Sequence, residues 1–257
     1  MHAVACIEHV GVPFDMEKWA KMLWIRGLIK PPPGYGLCNL DYVQQEFGIA
    51  GALSGDSAMI AAYQSGDSYL WFAKQSGAVP PDATKKSHEH TRDQFKACVL
   101  ETQFGVGEEA LASQINQPIS MARHLLRLHR KTFGRYWEWL DEVLNHSFLN
   151  AILSTVYGWK QRITENNCNA RAVGNFFCQA NGAEMLRLAC IFGTEAGIQI
   201  CAPIHDAVMI IAPLHRLDAD IVAMQGLMEK ASEYVLDGFQ TTNGTADYSL
   251  PRPLHEG

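Results

Sequence analysis

The sequence predicts an α+β protein in which a small antiparallel sheet accompanies many helices. Short apolar runs typical of strands are few, at 37–41, 157–163, 197–204 and 207–213, and the last two flank a turn. Helical periodicity fills most of the remaining chain. Hydrophobic residues make up 47% and charged residues 19%, a balance typical of an ordered domain with a core. Separate runs of helix and strand favour the α+β class over alternating β-α units.

Apolar spacing and breakers define the helices in order. Helices are predicted at 16–24, 44–53, 57–64, 69–75, 83–104, 107–116, 119–132, 135–155, 171–193 and 216–236. Proline clusters at 31–33 and 80–81 interrupt helices because proline has no backbone N–H. The final residues, rich in Gly, Thr and Pro, are predicted to form a poorly ordered tail.

Composition excludes several classes of function. No stretch approaches the roughly 20 apolar residues of a membrane span. Glu8 and His9 interrupt the start of the chain, which argues against a signal peptide and favours the cytoplasm. The seven cysteines form no CxxC pair, so free thiols are expected rather than disulfides or zinc ligands. A net charge of −6 argues against a protein that coats nucleic acid, although a local basic groove is compatible with it.

Two acidic residues follow the predicted strands. Asp41 ends the first strand, and Asp206 lies in the turn of the 197–213 hairpin. Two carboxylates at one sheet edge suit Mg²⁺, and a pair of such ions supports phosphoryl chemistry. The alternative is that Asp41 caps the next helix and Asp206 accepts hydrogen bonds from turn amides.

The predicted helix before Gly105 carries a second pattern. Arg92 and Lys96 lie one turn apart, and Phe104 follows at its end. Two such cations suit a triphosphate, with a forked guanidinium and a compact ammonium, and the aromatic ring beside Gly105 suits a base. The alternative is a solvated basic face that ends in a glycine C-cap.

Four segments in this order resemble the family A DNA polymerases. DYVQQEFGIAGALSGD at 41–56 resembles motif A, and RDQFKACVLETQFGVG at 92–107 resembles motif B with its Arg-x3-Lys-x7-aromatic-Gly pattern. RAVGNFFCQANGAEML at 171–186 resembles the helix that contacts primer and template. ICAPIHDAVMI at 200–210 resembles motif C. The similarity covers about residues 25–213, and four ordered motifs are far more specific than one.

The resemblance implies a role for each matched residue. Asp41, Asp206 and the backbone carbonyl of Tyr42 would hold two Mg²⁺ ions, and Lys96 would join the two aspartates in catalysis. The implied nucleotide-binding residues are Tyr42, Gln44, Glu46, Tyr69, Arg92, Lys96, Leu100, Phe104 and Gly105. The implied DNA-binding residues are Arg171, Asn175, Gln179 and His205. Glu46 would lie under the sugar and disfavour a ribose; the alternative is a surface ion pair.

The implied partners are primer–template DNA and deoxynucleoside triphosphates, with no membrane and no obligate protein partner. The implied organisation is a short N-terminal segment at 1–24, palm at 25–75, fingers at 76–160, palm again at 161–240 and a C-terminal tail at 241–257. The fold is then a polymerase palm with helical fingers. The reaction is template-directed addition of deoxynucleotides to a primer 3′ end.

The sequence also departs from the family pattern. Ala207 stands where motif C usually has a third acid, and Leu100 where many relatives have Phe. HVGVPFD at 9–15 resembles the family segment before the thumb, yet the palm pattern begins near Trp24. We therefore expect a chain without thumb or exonuclease domains and with weak, distributive synthesis. Two alternatives remain: a nucleotide- or primer–template-binding remnant of the same fold, and a metal-dependent phosphohydrolase.

A basic stretch follows motif B. Residues 121–135 contain five cations and no acid. One interpretation is that these cations hold template phosphates. The other is a solvated helix face. The cations are Arg123, Arg127, Arg130, Lys131 and Arg135.

Overall fold

The computed structural model describes residues 30–103, 105, 107–165 and 169–249, and for 245–249 it describes the backbone only. The strands are β1 Tyr35–Tyr42, β2 Ile152–Ser154, β3 Lys160–Arg162, β4 Ile200–Ile204, β5 Ala207–Pro213 and β6 Asn243–Ser249. The helices are α1 Gln45–Ser54, α2 Ser57–Gln64, α3 Ser68–Gln75, α4 Glu89–Gln103, α5 Glu108–Gln114, α6 Ile119–Thr132, α7 Gly134–Asn150, α8 Ala170–Glu195 and α9 Leu217–Val235.

The chain divides into two compact units. Unit 1 comprises the described residues up to Gln45 and those from Gly182 onward. Unit 2 comprises Glu46–Asn181, so the second boundary falls inside α8. Every strand of the larger sheet belongs to unit 1, whereas unit 2 is mainly helical. The predicted α+β class with a small antiparallel sheet is confirmed.

Unit 1 is built on a four-stranded sheet with the order β4-β5-β1-β6. Antiparallel pairing puts Tyr35 opposite Pro213 and Asp41 opposite Ala207. Cys38 and Leu40 of β1 are fully buried, which fits a central strand that is covered by packing. The register fixes the end of β1 beside the turn that joins β4 to β5.

Helix α9 packs against this sheet. The hydroxyl of Tyr42 donates a 2.8 Å hydrogen bond to the backbone carbonyl of Met228 and so ties the end of β1 to the helix. At the other end of β1, a Cβ atom on Gly36 would lie 2.4 Å from Leu217 Cδ2. Gly36 therefore permits the close approach of strand and helix.

The prediction of a poorly ordered tail is wrong for residues 243–249. These residues form β6, which pairs antiparallel with β1, with Tyr42 opposite Asn243. The physical reason is that β1 would otherwise present an unpaired row of N–H and C=O groups. The last predicted tail residues, 250–257, lie outside the described part, as does the helix predicted at 16–24.

Unit 2 has an aromatic core. Phe72 and Phe133 are completely buried, with ring centroids 5.2 Å apart. The imidazole of His129 is also completely buried, 4.8 Å from the Phe133 ring and 5.6 Å from the Phe72 ring. The indole N–H of Trp137 donates to His129 Nδ1 at 3.2 Å, which leaves the proton of a neutral imidazole on Nε2.

Asp56 joins two helices of this unit. One carboxylate oxygen caps α2 by accepting the backbone N–H groups of Ala58 and Met59. The other oxygen accepts the backbone N–H of Tyr136 in α7 at 3.0 Å. Asp56 is 3% exposed, so these bonds replace nearly all of its hydration.

Three predicted elements need correction. The helix predicted at 135–155 ends at Asn150, because Ala151 adopts a left-handed conformation with φ of 51°. The strand predicted at 157–163 is instead a hairpin of β2 and β3, with Ser154 opposite Lys160. The helix predicted from residue 83 begins at Glu89, after a turn region.

No helix within the described ranges is long and apolar enough to cross a membrane. Five buried cysteines of the described ranges form no disulfide; they are Cys38, Cys98, Cys178, Cys190 and Cys201.

Candidate active site

The structure brings Asp41 and Asp206 together in unit 1. Asp41 is opposite Ala207 in the β1–β5 pair, so it neighbours the residue that follows Asp206. The backbone N–H of Tyr42 donates to the carbonyl of Asp206 at 3.3 Å. Two residues about 165 positions apart in the chain therefore lie at one edge of the sheet.

His205 and Asp206 form the two-residue turn between β4 and β5. Ile204 is opposite Ala207, and His205 adopts φ of 57°, a conformation that favours glycine. The ring Nδ1 of His205 lies 3.0 Å from Asp206 Oδ1, and its side chain is 74% exposed. This turn presents the imidazole to solvent and the carboxylate beside the end of β1, and backbone strain of this kind is frequent at functional sites.

The donor set at this edge suits a hard divalent cation. Asp41 is half-buried and the Asp206 carboxylate is 30% exposed, so both belong to a partly hydrated edge. The described residues contain no group of three or more His, Cys, Asp or Glu side chains close enough to hold one metal ion. Carboxylate and carbonyl oxygens, such as those of Asp41, Asp206 and Tyr42, are the donor type that Mg²⁺ accepts together with water. The residues present therefore fit Mg²⁺ better than a soft metal.

Glu46 and Gln179 meet in unit 2. The Gln179 amide donates to Glu46 Oε1, which links the start of α1 to α8. Gln44, two residues before Glu46, adopts a left-handed conformation with φ of 47° and is half-buried. Glu46, which is predicted to lie under the nucleotide sugar, is thus in direct contact with Gln179, which is predicted to bind DNA.

Arg92 is held on two sides. Its Nε donates to Asp67 Oδ2 at 2.6 Å, and its guanidinium carbon lies 5.2 Å from the centroid of the Tyr69 ring. The Arg92 side chain is only 12% exposed. Tyr69 is 7% exposed, and burial raises the pKa of its phenol despite the opposing effect of Arg92.

Lys96 differs from Arg92 in its surroundings. It lies one turn further along α4, is exposed, and has no carboxylate partner in the described part of the chain. Leu100 follows on the same helix and is half-buried. Gly105 adopts φ of 66°, where a side chain would be strained, and Phe104 lies outside the described residues.

The basic stretch at 121–135 separates into two groups. Arg123 forms a bidentate pair with Glu108 at 2.6 and 2.8 Å, and Arg135 pairs with Glu142 at 3.1 Å. Arg127 and Arg130 have no such partner among the residues described. Arg130 lies over the Trp137 ring, with its guanidinium carbon 4.3 Å from the centroid.

Arg127 and Arg130 line a cavity of about 460 Å³ in unit 2. Arg171, at the start of α8, lines the same cavity, and an ideal Cβ on Gly105 would lie 3.2 Å from its Cγ. Arg171 is exposed and Asn175 is half-buried one turn further along the helix. Arg171, which is predicted to bind DNA, therefore lines the same cavity as two cations of the basic stretch.

Comparison with known proteins identifies the class. The solved structure of the POL domain of Pol1 from M. smegmatis, in complex with DNA primer-template and dNTP, matches with a TM-score of 0.73. That match has 23% identity and covers 92% of this chain and 43% of the other. The chain therefore has the fold of part of that polymerase domain.

Residues 11–242 match the sequence profile of DNA polymerase family A. The chain is 24% identical over 220 residues to DNA polymerase I, thermostable, of Thermus thermophilus, covering 80% of this chain and 26% of that protein. It is 24% identical over 217 residues to the DNA polymerase of Mycobacterium phage D29, covering 83% and 35%. This chain belongs to DNA polymerase family A. It spans about a quarter to a third of the length of these relatives.

Sequence reasoning missed Asp67. The signal that could have found it is its place just before the helix predicted at 69–75, since an Asp before a helical run is a helix-capping signal. Nothing in the spacing linked Asp67 to Arg92, which lies 25 residues later.

Proposed function

We propose that this chain catalyses template-directed addition of deoxynucleotides to a primer 3′ end. The observation that carries the proposal is the register of β1 and β5, which places the motif A and motif C aspartates at one sheet edge. Membership of family A supports the same reaction. The proposed substrates are deoxynucleoside triphosphates and a primed template, and the proposed mechanism is two-metal nucleotidyl transfer.

In unit 1, Asp41 and Asp206 would hold two Mg²⁺ ions with the carbonyl of Tyr42. When bound, these ions supply charge neutralisation for the attacking and leaving oxygens. The protein holds the two carboxylates in place before substrate arrives, because the strand register and the hairpin turn fix their backbones. His205, exposed beside Asp206, would support the primer end.

In unit 2, Arg92 and Lys96 would bind the triphosphate of the incoming nucleotide. A guanidinium offers directed donors, and an ammonium offers a compact charge. Tyr69 supports Arg92 from below its guanidinium plane, and Leu100 with Gly105 would shape the base and sugar pocket. Catalysis then depends mainly on positioning and charge neutralisation.

Contacts to DNA would come from α8. Arg171, Asn175 and Gln179 would reach the minor groove, where acceptors occupy similar places in every Watson–Crick pair. Such contacts check the shape of a pair without reading its identity. The cavity lined by Arg127, Arg130 and Arg171 supports a further contact to single-stranded template, because these three cations, unlike Arg123 in the same lining, lack carboxylate partners in the described chain.

Synthesis by this chain alone would be weak and distributive. The chain spans 26% of the Thermus polymerase, and each phosphate contact that a polymerase lacks weakens DNA binding. We therefore expect moderate salt to suppress extension. Long products from one binding event, in the presence of competitor DNA, would contradict this expectation.

A primer-extension assay on the purified chain tests the proposal. The wild type should add deoxynucleotides in the presence of Mg²⁺, and Asp41→Ala or Asp206→Ala should abolish extension. Asp218→Ala is the matched control, because Asp218 is an exposed carboxylate of the same unit. Circular dichroism should show that both site variants stay folded. Phosphate release from nucleotide without primer would instead indicate a phosphohydrolase, and binding without turnover a remnant.

A further inference from the structure

We propose that Asp67 is a positioning residue that aims the guanidinium of Arg92 at the nucleotide phosphates. This inference rests on the proposed function, since it takes Arg92 as a phosphate ligand. The contacts of Asp67 and Tyr69 with Arg92 fix the orientation of the guanidinium, and this orientation determines how well it binds phosphate. The relevant contacts all lie within unit 2 and join the N-terminus of α3 to the first turns of α4.

The carboxylate of Asp67 is fixed by its own helix. Oδ1 accepts the backbone N–H of Leu70 at 3.1 Å, so Asp67 is the N-cap of α3. Oδ2 accepts Nε of Arg92 at 2.6 Å. Each oxygen accepts one of these two hydrogen bonds. The cap therefore prevents rotation of the carboxylate and fixes the direction from which Oδ2 accepts the Arg92 N–H.

The shortest contact of the guanidinium is at its inner edge. Asp67 engages Nε, and the ring of Tyr69 lies under the guanidinium plane. The two Nη groups form the outer edge, where Nη1 has a longer contact of 3.4 Å with Asp93. A planar fork with its Nε occupied still offers N–H donors at both Nη atoms, which suits two oxygens of a phosphate.

In this arrangement Arg92 provides oriented N–H donors, and Lys96 provides the net positive charge. Asp67 is 25% exposed and Arg92 12%, so the pair is close and partly desolvated. The negative charge of Asp67 offsets much of the positive charge of Arg92 toward an incoming anion. Arg92 then serves chiefly as a preorganised donor, whereas the exposed Lys96 supplies the net positive charge. Preorganisation lowers the entropy lost when phosphate binds.

The two possible roles of Asp67 predict opposite results for Asp67→Asn. If the carboxylate acts only through its charge, removing it makes the site more positive and lowers the KM for deoxynucleotide. If it positions Arg92, the amide fails, because one of the two carboxylate oxygens becomes an NH₂ donor, which cannot accept from the Leu70 or the Arg92 N–H that faces it. We expect the KM to rise about tenfold or more, the value of a hydrogen bond to a charged group. The kcat should change less than the KM.

Asp93→Asn is the matched control. Asp93 is also a carboxylate in contact with Arg92, but it is exposed and meets only the outer edge. Its removal should leave the KM unchanged or lower it slightly. Asp67→Ser is the second variant, since serine also caps helices but lacks the second carboxylate oxygen. It should raise the KM as Asp67→Asn does, with a melting temperature close to that of the wild type.

The affinity for a deoxynucleoside triphosphate with Mg²⁺, measured by calorimetry on each variant, gives a readout that does not need turnover. A wild type that binds, with unchanged or tighter binding by both Asp67 variants, overturns the positioning role and leaves the proposed function standing. A wild type that neither binds nucleotide nor extends primers overturns the proposed function and this inference together. Weaker binding by both Asp67 variants, with Asp93→Asn unaffected, supports the inference.

Discussion

The buried imidazole of His129 makes the stability of unit 2 depend on pH. Burial lowers the pKa of His129 from 6.5 to about 3, because the charged form loses its hydration. The neutral ring accepts a hydrogen bond from Trp137 and is surrounded by aromatic side chains. In the unfolded chain the ring is hydrated and protonates near its ordinary pKa.

The sign and size of the effect follow from these two pKa values. Above pH 6.5 the ring is neutral in both states, and the fold loses nothing to protonation. Between pH 6.5 and about 3 the unfolded chain binds a proton that the folded chain excludes, so the free energy of unfolding falls as the pH falls. At pH 5 the loss is about 2 kcal/mol, at about 1.4 kcal/mol for each pH unit below 6.5.

Urea denaturation at pH 7.5 and pH 5.0, followed by tryptophan fluorescence, measures this loss. Four of the six tryptophans lie in unit 2, at positions 71, 137, 139 and 159. His129→Phe keeps an aromatic ring in the core but cannot protonate, so it should lack about 2 kcal/mol of the decrease seen in the wild type. The variant also leaves the Trp137 N–H without its acceptor, a cost that is the same at both pH values.

His124→Gln is the matched control, because His124 lies on the same helix but is exposed. It should retain the full decrease of the wild type. An equal decrease in the wild type and in His129→Phe would refute the reasoning, since the buried imidazole would then not be the group that protonates on unfolding.

Three further predictions concern other residues. Asp56→Ala should lower the free energy of unfolding of unit 2 by about 2–4 kcal/mol, because three backbone N–H groups lose their acceptor, and urea titration measures this; a loss below about 0.5 kcal/mol would contradict it. Glu46→Ala should relax the preference for deoxynucleotides by about ten- to a hundredfold, as measured by ribonucleotide incorporation. Equal selectivity in the two proteins would exclude a sugar-gating role. Replacing Arg127 and Arg130 together by Gln should weaken single-stranded DNA binding and reduce its salt dependence by about 0.7 per lost phosphate contact. Fluorescence titration with single-stranded DNA measures both changes. Arg135→Gln is the control and should behave like the wild type, because the Arg135 cation is already paired with Glu142.

The fold and the ordered motifs could be predicted because they depend on local patterns. Asp41 ends a strand and Asp206 occupies a two-residue turn, and both patterns are visible in the sequence. Their meeting could not be derived from spacing, since about 165 residues intervene. It became an expectation only through the resemblance, and the β1–β5 register places Asp41 opposite Ala207, the neighbour of Asp206. The metal and nucleotide roles of these residues stay predictions.

The parts that sequence reasoning missed depend on tertiary contacts. The sequence predicts one basic stretch at 121–135, but His129 within it is buried in the aromatic core. Arg123 and Arg135 are paired with acids elsewhere in the chain. The strand β6 lacks a strong apolar alternation and forms beside β1, whose edge it completes. Asp67 gains its second partner, Arg92, only when α3 and α4 pack.

Unit 1 is built from two chain segments that are far apart in the sequence, so its strands leave the ribosome at different times. Residues of β1 leave the ribosome before all of unit 2, yet their partners in β5, from Ala207 opposite Asp41 to Pro213 opposite Tyr35, follow only after unit 2 is complete. At about 5–20 residues per second the delay is roughly 10–30 s. Unit 2 is a continuous segment and can complete its core during that interval, whereas β1 waits with its backbone unpaired. The nascent chain is therefore most open to misassociation or chaperone capture at this strand, and a pause in translation before β5 prolongs that exposure.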